Sequence, residues 1–227
     1  MSIVEETRIA LLDLFPEQAA ADAEARAAAE AEAEAAEAAA AVQAEIDAAA
    51  AEMESMDLTA DAAAEPEEGA AEEEAAQPEA KAAAKEEPEE EGPRENGVLL
   101  TEHAARGAHI DVLCAPDQVV DAARIMDEAG FFLESIAGVD WIKENRLEVI
   151  YDYNQYGMEP CRVVVRAFID RAEPEIATIS EVFPSADWHE RETFDFYGIN
   201  FQGHPYLVPI LLPEDADFHP LLKDFKP

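Results

Sequence analysis

The sequence predicts an α+β domain: a small mixed or antiparallel sheet with helices packed on one face, behind a long acidic extension rich in Ala and Glu. Segments that alternate apolar and polar residues recur after residue 97, and stretches with apolar residues three to four apart separate them. Composition also changes abruptly near residue 96. The chain has 227 residues, 53 acidic against 15 basic, and a net charge of -38. Residues 1–96 hold 29 of the acids and only 5 basic residues, while residues 97–227 hold 24 and 10. Three parts are expected: a low-complexity extension and linker over 1–96, an α+β domain over 97–205 and an extended C-terminal docking tail over 206–227.

In the first part, Ile3, Val4, Ile9, Leu11, Leu12, Leu14 and Phe15 are spaced as on one amphipathic helix, stopped by Pro16. Two roles stay open for it, a docking peptide for a partner or a frayed terminus. Residues 17–61 are almost all Ala and Glu, which favours helix locally. The acids lack basic partners one turn on, and Val42, Ile46, Met53, Met56 and Leu58 make only a thin apolar stripe. A solitary or fluctuating helix is expected there. Pro66, Pro78, Pro88 and Pro93 then interrupt acidic runs, the pattern of a disordered linker.

In the second part, residues 109–114 alternate as a strand. Pro116 and Asp117 open a helix that turns Val119, Val120, Ala123 and Met126 inward and ends at Gly130. Residues 131–141 read as an extended run broken at Gly138. Residues 146–153 alternate cleanly, with Leu147, Val149 and Tyr151 on one face. After a turn at Tyr156-Gly157, residues 161–169 form the next strand, and the two make an antiparallel hairpin at the centre of the sheet. Beyond Pro174, the spacing of Ile176, Ile179, Val182 and Phe183 predicts a short helix before Pro184.

Residues 187–205 crowd aromatics, charges and punctuating glycines more densely than any other window. Asp187 is a good N-cap, Glu190 and Glu192 suit a helix start, and Gly198 stands where a glycine would end the helix. Arg191 and Asp195, four apart on a helix, can pair, though Arg before Asp is the weaker order and worth only about 0.2–0.5 kcal/mol, and Glu190, Phe194 and Tyr197 are expected to share a face. Residues 199–201 read as extended, and Gly203-His204-Pro205 as a fixed turn.

Several chemistries are excluded or unsupported. The acidic balance disfavours nucleic acid and direct membrane binding as partners. Cys114 and Cys161 stand alone and read as small buried hydrophobes. There is no basic leader and no apolar run near the roughly 18 residues of a membrane span, so a cytoplasmic location is expected. A zinc helix wants His-Glu-x-x-His, but His189-Glu190 is followed at position 193 by Thr, so no metal site is predicted from His189, Glu190, Glu192, His204 and His219. No phosphate loop, dinucleotide fingerprint or iron–sulfur cysteine set is present.

The run Glu190-Arg191-Glu192-Thr193-Phe194-Asp195-Phe196-Tyr197-Gly198-Ile199, followed by Phe201 and Gly203-His204-Pro205, resembles the signature of the 30-kilodalton subunit of respiratory complex I, the NADH:quinone oxidoreductase. The wider pattern of that family recurs in Arg162-Val163-Val164-Val165, Pro174, Phe183-Pro184 and Trp188, so the resemblance spans about residues 108–225. It implies a subunit of a membrane-associated oxidoreductase, with no catalytic or redox centre and no cofactor of its own. Iron–sulfur clusters, flavin or nickel–iron are then expected in the partners. Those partners would be the large subunit of the 49-kilodalton or hydrogenase type, which helps form the quinone pocket, and an iron–sulfur subunit. The chain would sit peripherally on the inner face of the cell membrane.

Candidate residues for the signature and partner interface are Glu190, Arg191, Glu192, Phe194, Asp195, Gly198, Phe201, Gly203, His204 and Pro205, with Lys223 and Asp224 in the tail. Two uses of this charged, aromatic set are open: an internal network that fixes one helix on the sheet, or a surface that meets another subunit. In one respect the chain departs from the family. Tyr206-Leu207-Val208-Pro209-Ile210-Leu211 lacks the basic pair usual in complex I and looks more like some relatives in membrane-bound nickel–iron hydrogenases. Two other classes remain: a stand-alone acidic interaction protein acting through residues 1–96, and a metal hydrolase built on His189 and Glu190.

Overall fold

The computed structural model describes residues 2–29, 31, 33, 94–157, 160–213 and 215–226. They divide between two compact units, one of residues 1–22 with 93–227 and the other of residues 23–92. The described residues of the second unit, 23–29, 31 and 33, are helical and exposed. The remaining sequence expectations for 34–93, including the linker, lie outside the described residues.

The first unit is built on a five-stranded mixed sheet. Its strands are β1 (Gly97–Leu100), β2 (Ile110–Cys114), β3 (Phe132–Trp141), β4 (Arg146–Gln155) and β5 (Cys161–Asp170), in the order β1-β2-β5-β4-β3. Only β2 and β5 run parallel; the other neighbours are antiparallel. The ten-residue strands β4 and β5 pair along their whole length, from Arg146 opposite Asp170 to Gln155 opposite Cys161. This is the hairpin that the alternation predicts, with β5 in the middle of the sheet. A short parallel pair stands apart from it: β6 (Glu175–Ala177) and β7 (Asn200–Gln202). The α+β class is as expected.

Strand periodicity gives the sheet two different faces. Ile110, Val112, Cys114, Leu147, Val149, Tyr151, Tyr153, Val163, Val165 and Ala167 point into the core. Val119, Ala122, Ala123 and Met126 of the helix Val119–Glu128 are buried in the same core, as are Ala186 and Glu190 of the helix Ala186–Tyr197. The opposite face is laced by charges across strands. Asp111 lies between Arg94 (2.8 Å) and Arg166 (3.1 Å), and Arg166 reaches Glu148 at 3.1 Å. Glu148 in turn accepts the Trp141 indole N–H at 2.8 Å. Charges half-shielded by their neighbours need such partners, because an unpaired ion here would lose hydration without compensation.

The first 22 residues are no loose extension. The helix Ile3–Leu12 opens with Ser2, whose hydroxyl caps the Glu5 N–H, and it places Leu11, Leu12 and then Phe15 in the core. Neither a docking peptide for a partner nor a frayed end describes it; the segment docks on its own chain. Pro16 starts a second helical stretch rather than merely stopping the first, since its fixed φ and missing N–H suit a first helical position. Gln18 then uses its side-chain amide as a stand-in strand. It donates to the Val98 carbonyl at 2.7 Å and accepts the Val98 N–H at 2.9 Å, covering the open edge of β1.

Two other expectations are corrected. Residues 175–183 form no helix. Asn200 N–H bonds the Pro174 carbonyl and Thr178 N–H bonds the Gln202 carbonyl, so the segment is drawn into β6 beside β7, and only a turn follows at Ile179–Phe183. The apolar spacing does mark buried positions, since Ile176, Ile179 and Phe183 are all in the core, but strand pairing decides the backbone. Gly138 does not break β3, which runs through it; the irregularity lies between Leu133 and Ser135. Gly138 is bare because the ring of Tyr197 occupies that space: a Cβ there would stand 2.6 Å from the Tyr197 ring.

Candidate functional site

The helix Ala186–Tyr197, here called the signature helix, carries most of the candidate residues. It begins one residue before the expected N-cap. Ser185 precedes it without a side-chain cap, and Asp187 sits in the first turn, where negative charge faces the positive end of the helix dipole. It ends as the sequence predicts. Gly198 takes a left-handed conformation (φ 74°), and its N–H bonds the Phe194 carbonyl at 2.8 Å.

Glu190 is fully buried. One carboxylate oxygen accepts the Ile179 N–H at 2.8 Å and the other accepts the Thr178 hydroxyl at 2.5 Å. Burial pushes this carboxyl up to about 7; the bonds from Thr178 and Ile179 pull against that, and Asp187 adds to it. The buried His204 ring lies beside it. Its Nδ1 accepts the Tyr206 N–H at 3.0 Å, so Nε2 carries the ring proton and faces Asp187 Oδ1 at 3.2 Å and Glu190 at 3.8 Å. The turn Gly203-His204-Pro205 is therefore locked to the helix by its histidine, with Gly203 at φ +84°. Phe201, buried in β7, closes the same turn by accepting the His204 N–H at its carbonyl (3.2 Å).

Asp195 is committed to the tail. Its Oδ2 accepts three successive backbone N–H groups, from Ile210 (2.8 Å), Leu211 (2.7 Å) and Leu212 (3.2 Å). Three amides converging on one oxygen form a backbone nest for an anion. The Arg191–Asp195 pair that the helix spacing allows consequently does not form. Arg191 instead donates from Nε to the Val208 carbonyl at 3.1 Å, and its guanidinium lies over the rings of Trp188 (5.2 Å) and Tyr206 (5.3 Å). Of the expected shared face, Glu190 is buried, while Phe194 and Tyr197 are half-buried. Phe194 meets the His219 ring edge to face, and Glu192 is exposed.

The described residues of the tail form no helix or strand but are fastened at further points. His219 Nδ1 donates to the Asp195 carbonyl at 2.9 Å, and Leu221 N–H bonds the Phe196 carbonyl at 3.2 Å. Gly198 leaves room for His219, whose Nε2 would lie 2.6 Å from any Cβ added there. Lys223 acts through its backbone, its N–H bonding Asp140 at 2.8 Å, and Asp224 meets Arg171 at 2.6 Å. Arg171 also grips Asp140 (2.9 and 3.1 Å). Burial alone would raise the Asp140 carboxyl, but Arg171, the Lys223 N–H and the two positive charges together hold it below the ordinary carboxylate range.

The structure thus joins Glu190 with His204, Asp195 with residues 210–212, and Asp224 with Arg171, and it separates Arg191 from Asp195. Thr178, Asp140 and Arg171 are partners that no local pattern marks, because each meets its group across a long stretch of chain. Trp188 stands out in the sequence only as part of the wider family pattern. Cys114 and Cys161 are free and buried, and burial pushes their thiols up to about 12 and about 11, which makes them poor nucleophiles. Among the described residues no group of three or more His, Cys, Asp and Glu is placed to hold a metal ion, and no helix is long and apolar enough to cross a membrane.

Residues 112–227 match the family model described as "Respiratory-chain NADH dehydrogenase, 30 Kd subunit". The C-type subunit of NADH-quinone oxidoreductase from Roseiflexus sp. (strain RS-1) is 40% identical over 120 residues, covering 51% of this chain and 68% of that one. The C-type subunit of F(420)H(2) dehydrogenase from Methanosarcina mazei is 39% identical over 93 residues, covering 40% of this chain and 58% of its own. Among solved structures, a chain of the membrane-bound sulfane sulfur reductase, an archaeal respiratory membrane complex, is 27% identical with a TM-score of 0.48, over 52% of this chain and 71% of that one. Strands β3 to β5, the signature helix and the tail all lie within the matched region, and the chain belongs to the family of the 30-kilodalton subunit of the respiratory-chain NADH dehydrogenase, as a subunit of an oxidoreductase complex.

Proposed function

We propose that this chain is the non-redox structural subunit of a complex I-like, membrane-associated oxidoreductase, equivalent to the 30-kilodalton subunit of NADH:quinone oxidoreductase. In this reading it packs against the large quinone-pocket subunit and an iron–sulfur subunit, peripherally on the inner membrane face, and carries no catalytic centre of its own. The observation that supports it most directly is how the signature uses its polar groups. Both Glu190 oxygens, Asp195 Oδ2 and Asp140 are taken by donors of the same chain. Groups occupied in this way brace a scaffold, tying the signature helix to the turn and the tail. The cofactors of the complex then belong to the partners: iron–sulfur clusters, with flavin or nickel–iron according to the electron donor.

The test is a pulldown of the native protein from its own cells in mild detergent, with the accompanying subunits identified. A large subunit and an iron–sulfur subunit are expected to travel with it. An NADH-binding flavoprotein in the same fraction would specify the NADH-linked form, and a large subunit with two Cys-x-x-Cys pairs the hydrogenase form. Recovery of the chain alone, or iron and visible absorbance in the isolated polypeptide, would sink the reading.

A further inference from the structure

We propose that Trp188, Arg191 and Tyr206 form a clamp for an Asp or Glu side chain of a partner subunit. The inference rests on the subunit reading above and adds to it the place and chemistry of one contact.

Arg191 is held, but not by an opposite charge. Its Nε donates to the Val208 carbonyl at 3.1 Å, and its guanidinium carbon lies 5.2 Å from the Trp188 ring centre and 5.3 Å from that of Tyr206. No carboxylate meets it among the described residues. That is unusual in a chain of net charge -38. Arg94, Arg162, Arg166 and Arg171 each meet at least one carboxylate. Asp195, the acid one turn along the helix, is withdrawn by the three tail amides.

The two rings are the other half of the observation. Trp188 is 62% exposed and Tyr206 63%, and each leaves a large apolar surface in water at the border of the cation. Trp, Tyr and Arg are the residue types that dominate the energy of protein interfaces. A guanidinium flanked by aromatic faces is shielded there and keeps its in-plane Nη donors, the geometry that takes a carboxylate through two parallel hydrogen bonds. A carboxylate arriving between the rings would gain charge pairing in a site already partly stripped of water. The bond to Val208 fixes the fork in advance, so less side-chain freedom is lost on docking. The many acids on the rest of the surface repel carboxylates, which favours this cation as the place for an acidic contact.

The test uses the tagged chain expressed in its own cells, recovered with its complex, and washed at rising salt. R191Q and R191K are expected to lower co-recovery of the partner subunits by at least about tenfold, lysine failing because it cannot stack or fork. W188A and Y206A, both on the surface, are expected to lower it by about fivefold or more, with the thermal melt of each isolated chain unchanged. These two variants keep the test decisive if R191Q disturbs the fold through Val208. Wild-type levels of partner with R191Q, W188A and Y206A would overturn the clamp while leaving the subunit reading intact. A wild-type chain that brings no redox subunit would overturn both. Vesicles of anionic phospholipid that bind the wild-type chain but not R191Q would assign the cation to a lipid phosphate and also overturn the proposal.

Discussion

Asp195 holds the Leu211 backbone through one carboxylate oxygen at 2.7 Å, and the same oxygen takes the N–H groups on either side of it. A helix side chain thereby fixes the path of the tail. Replacing Asp195 by Ala leaves three donors without their acceptor. The loss is expected to be about 1.5–3 kcal/mol of stability, with faster amide hydrogen exchange at residues 210–212. Unchanged protection at those amides would mean that the tail is held elsewhere.

Gly138 and Tyr197 fit as bare backbone against ring. A Cβ on residue 138 would stand 2.6 Å from the ring, so Gly138→Ala must push the signature helix off β3. The expected cost is about 1–3 kcal/mol by chemical denaturation. Pairing it with Tyr197→Leu, which empties the contact, should recover part of that loss. Additive costs in the double variant would show that the two positions do not compete for space.

Glu190 gives stability a definite pH dependence. Its carboxyl is raised by burial from an ordinary 4.5 to about 7, so the folded chain holds this proton more tightly than the unfolded chain. The contribution is complete below about 4.5, falls as pH rises towards 7 and is gone above it. Its size is on the order of 3 kcal/mol. Glu190→Gln keeps both contacts, because the Thr178 hydroxyl can turn to accept, and it removes the titration. Urea midpoints of wild type and variant are expected to diverge steadily between pH 4.5 and 7. Parallel curves would place the proton on another group. The general charge repulsion of an acidic chain cancels in this difference, since both proteins share it.

The amino-terminal helix belongs to the core. Leu11 is fully buried with Leu12 and Phe15. Leu11→Ala is expected to cost about 2–5 kcal/mol, visible as a lower thermal midpoint for the whole domain. A transition unmoved by Leu11→Ala would return residues 2–15 to the status of an attached but independent segment.

Periodicity in the sequence was enough to determine the α+β class, the central hairpin read at 146–153 and 161–169, the helix after Pro116 and the glycine that ends the signature helix. These depend on contacts between residues near in sequence or on a repeat that one face of the sheet must bury. The match of residues 190–205 to a family signature likewise needs no coordinates. What tertiary structure alone decided is how each signature charge is used. Arg191 and Asp195, four apart and of opposite sign, can meet on an isolated helix, yet Asp195 is taken by three amides from residues 210–212 and the arginine turns to Val208 and two rings. The strand at 175–177 and the burial of Leu11 were hidden for the same reason. Each depends on a partner far along the chain, and a local spacing cannot report the free energy of a contact that exists only once the chain has closed on itself.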